Sequence, residues 1–379
     1  MESIKKANVN GKKVIVRVDF NVPIENGKIV DDTRIVSSLK TIKYLLDHNA
    51  KVILLSHLGR IKTKEDKEKY SLEIVAKHLS TLVNAPVYFV PVTRGDILEK
   101  TIENLESSEI VLVENTRFED YPKSLESSCD EALSKYWASL GDIFVFDAFG
   151  SSHRCHASTY GISKYLKSYA GFLVEEEVTM LNKAIHQRKT MILGGGKVDD
   201  KIDVINNLIN TCDKLLLGGA MCFTFLKAKG YNVGKNEVVE DKLEYAKNLL
   251  ETNGKKIILP VDFVSEHGVV EVENISDDDI LYDIGPKTIS KYKEAIFDSN
   301  LVLWNGPLGK YEDERFAEGT KSLMTYLNKQ SIVTILAGGD IVACAKKLGA
   351  KFTFVSTGGG ATLEYLEGKR FKTLERLQG

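Results

Sequence analysis

Short β-branched and apolar runs alternate with longer helical stretches along the whole 379-residue chain. In the first half, this pattern predicts strands at residues 13–18, 52–56, 87–90, 110–114 and 143–147. In the second half, it predicts strands at 190–193, 214–217, 256–260, 301–304, 332–337 and 352–356. Uninterrupted apolar runs, such as IVLV at 110–113, are typical of parallel strands that helices cover on both faces. The alternation therefore predicts βαβ units throughout the chain.

The βαβ units form two similar sets. They predict an α/β protein with two doubly wound, Rossmann-like parallel-sheet domains. We expect the join between the domains near residues 165–171, where the sequence reads KYLKSYAG across 164–171.

Charge and cysteine content exclude several classes of protein. The chain has 51 Lys and Arg against 53 Asp and Glu, so its formal net charge is -2. This balance argues against binding through bulk charge to nucleic acid or to an anionic membrane. Its five cysteines are scattered singly, which is typical of reduced thiols in a cytosolic protein. No signal peptide and no membrane-spanning apolar run is recognisable, so a cytoplasmic protein is predicted.

Cationic side chains follow the predicted strands of the first half. Ligands of open parallel sheets bind beyond the carboxyl ends of the strands, so these residues are expected at one edge. They are Arg34, His57, Arg60, Arg117, Arg154 and His156. Four arginines together repel one another unless an anion of several charges lies among them. The sequence predicts such an anion site; the alternative is that each arginine caps a helix or pairs with a surface carboxylate.

Glycines follow the predicted strands of the second half, at 194–196, 218–219, 306, 338–339 and 358–360. Glycine lets backbone N–H groups approach a phosphate closely, and a helix that starts there adds a partial positive charge. Lys197 and Lys201 are one helical turn apart, so both can point at one phosphate chain. This pattern favours a nucleotide phosphate site over tight turns without a ligand.

Known phosphate and hydrolase motifs are missing from the sequence. It contains neither a P-loop, nor a dinucleotide fingerprint after a strand, nor the protein-kinase motifs, nor a G-x-S-x-G elbow. Two sites of different character, one for a small polyanion and one for a nucleotide, suggest phosphoryl transfer between them. An acceptor that is already ionised needs no general base, so catalysis is positioning and charge neutralisation.

Blocks of sequence then point to one family. They include RVDFNVP at 17–23, SHLGR at 56–60, ENTRF at 114–118, GGGKV at 194–198, WNGP at 304–307 and STGGGA at 356–361. In these blocks and their order, the chain resembles the phosphoglycerate kinase family over essentially its whole length.

The resemblance implies a phosphotransferase whose acceptor is a carboxyl group. The expected reaction is the reversible glycolytic transfer from 1,3-bisphosphoglycerate to ADP, giving 3-phosphoglycerate and ATP, with Mg²⁺. It implies a monomer with small-molecule partners only, and no nucleic acid or membrane. Two alternatives stay open: a family member with little turnover that acts as a ligand-binding or structural protein, and an acyl-phosphate kinase with another substrate.

The resemblance also implies roles for individual residues. The phosphoglycerate would be held by Asp19, Asn21, Arg34, His57, Arg60, Arg117 and Arg154. The catalytic residues would be Arg34, Lys197 and Lys201, with Lys197 following the transferred group. The nucleotide would be bound by Gly195, Lys197, Lys201, Gly219, Asn305, Pro307, Glu312, Gly338, Gly339, Asp340, Ile341, Gly358 and Gly359. Glu312 would accept from the ribose hydroxyls, and Asp340 would bind the metal.

In the family the two domains face each other across a hinged cleft, and the last residues return to the first domain. This implies a phosphoglycerate domain at 1–168 plus 368–379 and a nucleotide domain at 169–367. Several positions depart from the family pattern, among them Phe146, which stands before Asp147 where Asn is usual. Ile341 stands where a Thr or Ser hydroxyl is usual, and Lys310 replaces a usually apolar residue near the adenine, where it could extend outward or contact the nucleotide.

Overall fold

The computed structural model describes residues 1–196 and 205–378, and the chain divides into two compact units. Unit 1 comprises Met1–Thr179 and Arg370–Gly379, and unit 2 comprises Met180–Lys369. The limits implied by the resemblance, 168/169 and 367/368, differ from these divisions by eleven and two residues. Each unit is built on one six-stranded sheet.

The sheet of unit 1 has the order β5-β6-β4-β1-β7-β8, and every neighbouring pair is parallel. Its strands are β1 Lys13–Val18, β4 Lys51–Leu55, β5 Val87–Val90, β6 Ile110–Val113, β7 Ile143–Asp147 and β8 Ser168–Ala170, and the short hairpin β2 Ile24–Glu25 with β3 Lys28–Ile29 follows β1. The five predicted strands are confirmed. Strand β8 was not predicted, because three residues without a long apolar run give no periodic signal.

Helices flank this sheet: α1 Thr33–Asp47, α2 Glu65–Lys69, α3 Glu73–Leu82, α4 Asp96–Glu103, α5 Glu131–Ser139 and α6 Phe172–His186, the last of which runs across the division between the units. Helix α1 buries Ile35, Ile42 and Leu45, whose helical spacing places them on one face. They pack in the same core as the apolar strand residues Val16 and Leu54. The core thus fixes β1, β4 and α1, from which several predicted site residues extend.

The sheet of unit 2 has the order β11-β10-β9-β15-β16-β17 and is also parallel throughout. Its strands are β9 Lys189–Leu193, β10 Lys214–Leu217, β11 Ile257–Ile258, β15 Leu301–Asn305, β16 Val333–Ala337 and β17 Phe354–Ser356. Its helices are α7 Met221–Ala228, α8 Leu243–Asn253, α9 Pro286–Phe297, α10 Glu318–Asn328, α11 Gly339–Lys347 and α12 Gly360–Leu366, and residues 205–209 are also helical. The strand order reverses between β9 and β15, which is where doubly wound sheets bind ligands.

Unit 2 also contains a small antiparallel sheet that was not predicted. It has the order β13-β12-β14, from β12 Asp262–Ser265, β13 Gly268–Glu271 and β14 Leu281–Ile284. Its middle strand is mostly buried, whereas β13 is largely exposed and acidic at its end. The prediction of two doubly wound parallel-sheet domains is confirmed, with this sheet as an addition.

The segment from Arg370 onward belongs to unit 1. It contains a one-turn helix, Lys372–Glu375, and Thr373 Oγ1 donates to the carbonyl of Ser152. The backbone N–H of Glu2 donates to the carbonyl of Leu377 at 2.7 Å. In the parts of the chain that are described, no helix has the length and apolar character that crossing a membrane would require.

Candidate functional site

The carboxyl end of β1 leads into the first predicted site. Asp19 follows this strand, is buried, and accepts a hydrogen bond on Oδ2 from Arg34 Nη1 at 2.6 Å. Arg34 is the second residue of α1, so the start of the helix carries it back toward the strand end. Asn21 Oδ1 accepts from the backbone N–H of Gly59 at 2.9 Å. Contacts of these side chains therefore join the segments that follow β1 and β4.

The loops after β4 and β6 are joined through Asn115. Its Nδ2 donates to the carbonyl of Leu58 at 2.7 Å, and its Oδ1 accepts from the Leu58 N–H at 3.2 Å. Next along the chain, Arg117 Nη1 donates to the carbonyl of Gly59 at 3.0 Å. Its Nε is buried and has no hydrogen-bond partner among the described residues. Arg117 thus retains a buried donor that an anion could satisfy.

Basic groups at this edge act on one another. Burial first, and then the nearby Arg17 and Arg117, lower the pKa of His57 well below its usual range. The same causes, again led by burial, lower the pKa of His156 to about 3. Burial lowers the pKa of Arg117 as well, and Arg154 and Arg60 add to the effect. The mutual influence of these groups is what a shared, positively charged site produces.

The alternative for the arginines was that surface carboxylates pair with them. Arg34 does pair with Asp19, but that carboxylate is itself buried. Within residues 1–196 and 205–378, no ion pair joins Arg60, Arg117 or Arg154 to a carboxylate. Arg154 Nε instead lies 3.0 Å from His153 Nε2, and Arg60 is exposed. The structure therefore places all seven predicted phosphoglycerate residues at the carboxyl edge of one sheet, and three of their four arginines form no direct ion pair among the described residues.

Turns after the strands of unit 2 are fastened to one another by their backbones. The N–H of Gly195, after β9, donates to the carbonyl of Pro307, after β15, at 2.7 Å. The N–H of Gly219, after β10, donates to the carbonyl of Leu308 at 3.1 Å. A Cβ on Gly194 would lie 2.1 Å from the Pro307 oxygen, so only glycine allows this approach. These turns lie where the strand order of the sheet reverses.

A cavity of about 370 Å³ opens over these turns. Among the predicted nucleotide residues, Gly195, Gly219, Pro307, Glu312 and Asp340 line it. Its apolar wall includes Phe223, Phe263, Leu281 and Leu308. Apolar walls with a few polar groups and exposed backbone are typical of a pocket for a flat organic ring with a polar substituent.

Of the other predicted nucleotide residues, the six that the structure describes lie at neighbouring strand ends and do not line this cavity. Asn305 is buried; its Nδ2 donates to the carbonyl of Ala337 at 2.6 Å, and its Oδ1 has no hydrogen-bond partner in the described residues. Gly338, Gly339 and Ile341 form the start of α11, and the Ile341 side chain is buried. Gly358 and Gly359 precede α12. Lys197 and Lys201 lie outside the described residues.

Lys310 lines the cavity and is exposed. Its Nζ lies 5.6 Å from the ring centroid of Tyr282, and that ring stacks on Phe316 with centroids 4.4 Å apart. The Lys310 side chain therefore lies at the rim of the cavity, where its ammonium group contacts the face of the Tyr282 ring.

A family model described as phosphoglycerate kinase matches residues 4–369. The chain belongs to the phosphoglycerate kinase family. A phosphoglycerate kinase of Fusobacterium nucleatum is 49% identical, with 99% of this chain and 98% of the relative covered. A phosphoglycerate kinase of Lacticaseibacillus casei is 50% identical, with 97% and 96% covered. The resemblance found in the sequence is confirmed.

Solved structures of phosphoglycerate kinases share the fold. The structure from Coxiella burnetii is 35% identical, covers 99% of this chain and 98% of its own, and has a TM-score of 0.86. That from Pyrococcus horikoshii is 31% identical, covers 100% and 98%, and has a TM-score of 0.89.

The side chains near the cavity can be compared with those that bind Mg²⁺, the metal predicted for this protein. No group of three or more His, Cys, Asp or Glu in the described residues is arranged to hold a metal ion. Mg²⁺ at nucleotide sites is usually bound by one or two carboxylates together with the substrate phosphates. Asp340 offers one exposed carboxylate at the cavity, near the start of α11, and therefore fits that mode of binding.

Three residues of the first site were not among the predicted site residues: Arg17, Glu126 and Ser158. Arg17 and Glu126 are fully buried, and Ser158 contacts both. The only sequence signal was that Arg17 lies inside an otherwise apolar strand, where an arginine needs a partner.

Proposed function

We propose that this protein is an active phosphoglycerate kinase, which transfers a phosphoryl group reversibly from 1,3-bisphosphoglycerate to ADP. The observation that carries the proposal is the cluster of arginines without carboxylate partners at the carboxyl edge of unit 1, including the unpartnered Arg117 Nε. A molecule with a phosphate at one end and a carboxylate or acyl phosphate at the other matches several separate cations. Membership of the family agrees with this substrate class.

In this proposal, Arg60, Arg117 and Arg154 bind the phosphoglycerate with His57 and Asn21. Asp19 holds Arg34 by the 2.6 Å contact, so that the remaining guanidinium donors are aimed at the transferring group. The acceptor oxygen is already ionised, so no side chain has to remove a proton. The chain contributes orientation and positive charge where negative charge develops.

The nucleotide is assigned to the cavity of unit 2. Its apolar wall suits the base, and Glu312, which lines the cavity, would accept from ribose hydroxyls. Asp340 would hold Mg²⁺, which neutralises phosphate charge when bound. Lys197 and Lys201 keep the catalytic roles that the family resemblance implies. Closure of the two domains across a hinged cleft also stays a prediction from that resemblance.

The cellular setting follows from the same reasoning. We propose a cytoplasmic, monomeric enzyme whose partners are its small-molecule substrates, in glycolysis. Size-exclusion chromatography with light scattering at several concentrations would test the monomer, and a larger mass at any concentration would contradict it.

A coupled assay tests the reaction. Purified protein, ATP and 3-phosphoglycerate should form the acyl phosphate only with Mg²⁺ present, and Arg34→Ala should abolish most of the activity. Arg188→Ala is the matched control, because Arg188 is exposed, forms an ion pair with Asp213 and is not among the predicted site residues. If the folded wild-type protein binds both ligands but catalyses phosphoryl transfer in neither direction, the ligand-binding alternative replaces this proposal. If acetyl phosphate serves as well as bisphosphoglycerate, the substrate assignment is wrong.

A further inference from the structure

Arg17 is a fully buried arginine inside β1. Its guanidinium makes three different contacts. Nε donates to Ser158 Oγ at 2.8 Å, Nη1 donates to the carbonyl of Val18, and Nη2 lies 2.9 Å from Nδ1 of His57. The contact with His57 joins β1 to the segment after β4, at the edge where the predicted phosphoglycerate residues lie.

A guanidinium has donors and no acceptor, so the direction of this hydrogen bond is fixed. His57 Nδ1 must accept, and the single proton of the neutral imidazole is then on Nε2. After burial, the neighbours that lower the pKa of His57 are, in descending order, Arg17, Arg117, Arg34 and His156, and none of them is a carboxylate. Burial and these neighbours lower the pKa of His57 well below its usual range, so the ring is neutral at physiological pH.

Arg17 is in turn held from its other side. Ser158 accepts from Arg17 Nε, and its hydroxyl donates to Glu126 Oε1. The Ser158 N–H donates to Glu126 Oε2 at 2.9 Å. Burial lowers the pKa of Arg17, and the charge of the fully buried Glu126 raises it, so Glu126 acts as a counter-charge for the guanidinium. Glu126, Ser158, Arg17 and His57 thus form one continuous chain of hydrogen bonds.

We propose that Arg17 is a positioning residue that fixes the His57 imidazole as its Nε2–H tautomer, with Ser158 and Glu126 holding Arg17 in place. His57 then offers the bound anion a neutral hydrogen-bond donor. A neutral donor adds a contact without adding another positive charge to a site that already contains Arg34, Arg117 and Arg154. The identity of the anion rests on the proposed function, but the tautomer does not.

Without Arg17, the imidazole could carry its proton on Nδ1. Nε2 would then present a lone pair to a carboxylate or phosphate oxygen, and the contact would become repulsive. Binding of 3-phosphoglycerate should weaken, whereas the nucleotide cavity of unit 2 contains none of these residues.

NMR of the full-length wild-type protein tests the tautomer directly. Two-bond ¹⁵N–¹H correlations of ¹⁵N-histidine-labelled protein distinguish protonated from unprotonated ring nitrogens, and His57→Gln assigns the signal. We expect Nε2 protonated and Nδ1 unprotonated from about pH 5.5 to 8, across the usual titration range of histidine. A proton on Nδ1, or a ring that titrates near the usual value, would overturn the proposal whatever the enzyme assay gives.

Variants test the role of Arg17. Arg17→Gln is combined with Glu126→Gln, so that no unpaired carboxylate stays buried. In this double variant we expect a mixture of the two His57 tautomers. The KM for 3-phosphoglycerate should rise about 10-fold, the effect of losing one hydrogen bond to a charged group. The KM for nucleotide should not change. Glu126→Gln alone keeps the contact with His57 and should keep the Nε2–H tautomer. If the folded double variant retains both the tautomer and the wild-type KM, Arg17 has no positioning role; if it does not fold, the wild-type spectrum still decides.

Discussion

Asp19 Oδ2 and Arg34 Nη1 are 2.6 Å apart, and within residues 1–196 and 205–378 Arg34 is the only one of the four predicted phosphoglycerate arginines that forms an ion pair with a carboxylate. The Asp19 side chain is 5% exposed and the Arg34 side chain 34% exposed. The Asp19 carboxylate is thus held inside the fold, while the Arg34 guanidinium is partly exposed to solvent. Arg34 is held at one nitrogen and keeps other donors for a ligand.

This geometry predicts that Asp19 acts on the reaction through Arg34. Arg34→Ala should lower kcat about 10²–10³-fold, the usual effect of removing one donor to transition-state charge. Asp19→Asn should lower it less, because the amide still accepts a hydrogen bond. The double variant should be no slower than Arg34→Ala alone, as measured in a double-mutant cycle. Additive losses would show that Asp19 acts independently of Arg34.

Two neighbouring glycines offer a matched test of the nucleotide turn. A Cβ on Gly194 would lie 2.1 Å from the Pro307 oxygen, whereas a Cβ on Gly196 would meet no atom of the described residues within 4 Å. Gly194→Ala should therefore push the turns after β9 and β15 apart and raise the KM for nucleotide about 10-fold or more. Gly196→Ala should leave the KM within about twofold. Isothermal titration with ADP would check both variants, and equal affinities would contradict the close packing.

Burial raises the pKa of Asp147 to about 7, although hydrogen bonds from the Thr41 side chain and from the backbone N–H groups of Val174 and Leu173 lower it. A carboxyl whose pKa is higher in the folded state stabilises the fold below its unfolded pKa of about 4 and loses that contribution as pH rises through about 7. Unit 1 should therefore become less stable from pH 4 to pH 8, by at most about 4 kcal/mol from this group.

Asp147→Asn should remove that part of the pH dependence. The chain has two tryptophans, of which Trp137 is in unit 1 and Trp304 in unit 2. Urea unfolding followed by Trp137 fluorescence, in a Trp304→Phe background, would report on unit 1 alone. The difference in stability between the proteins with and without the Asp147→Asn substitution should grow with pH; a difference that is constant from pH 4 to pH 8 would mean that Asp147 is ionised throughout.

Glu312 should affect nucleotide binding and little else. Its carboxylate lines the cavity of unit 2, and Glu312→Gln weakens its acceptor strength without changing its size. We expect the KM for ATP to rise about 10-fold, as for a hydrogen bond to a charged group, with the KM for 3-phosphoglycerate unchanged. Glu314→Gln is the control, because Glu314 lies in the same segment but does not line that cavity. Similar effects of both substitutions would remove Glu312 from the proposed site.

The parallel sheets could be predicted because their strands carry local signals. Apolar runs such as β6 and β16 are confined between glycines and polar residues, and helices with one buried face separate them. The residues at the strand ends then follow from topology alone, which is why His57, Arg60 and Arg117 could be assigned to one edge.

Other features depend on partners far away in sequence. Arg17 contacts His57 because β1 pairs with β4 in a register that puts Arg17 opposite Leu55, and no local pattern specifies that register. Ser158 and Glu126 come from segments without strand or long-helix periodicity. The antiparallel strands β12 and β13 were missed because they are short and one is exposed, so their stability comes from pairing with each other.

The return of residues Arg370 onward to unit 1 makes unit 2 an insertion within unit 1. A ribosome releases the chain from its N-terminus, so Glu2 and Ser152 emerge long before Leu377 and Thr373, their hydrogen-bond partners. Unit 2, by contrast, is one uninterrupted stretch of the chain. Less chain has to be synthesised between its first and its last residue than between those of unit 1. During synthesis, unit 1 is therefore begun first and completed last.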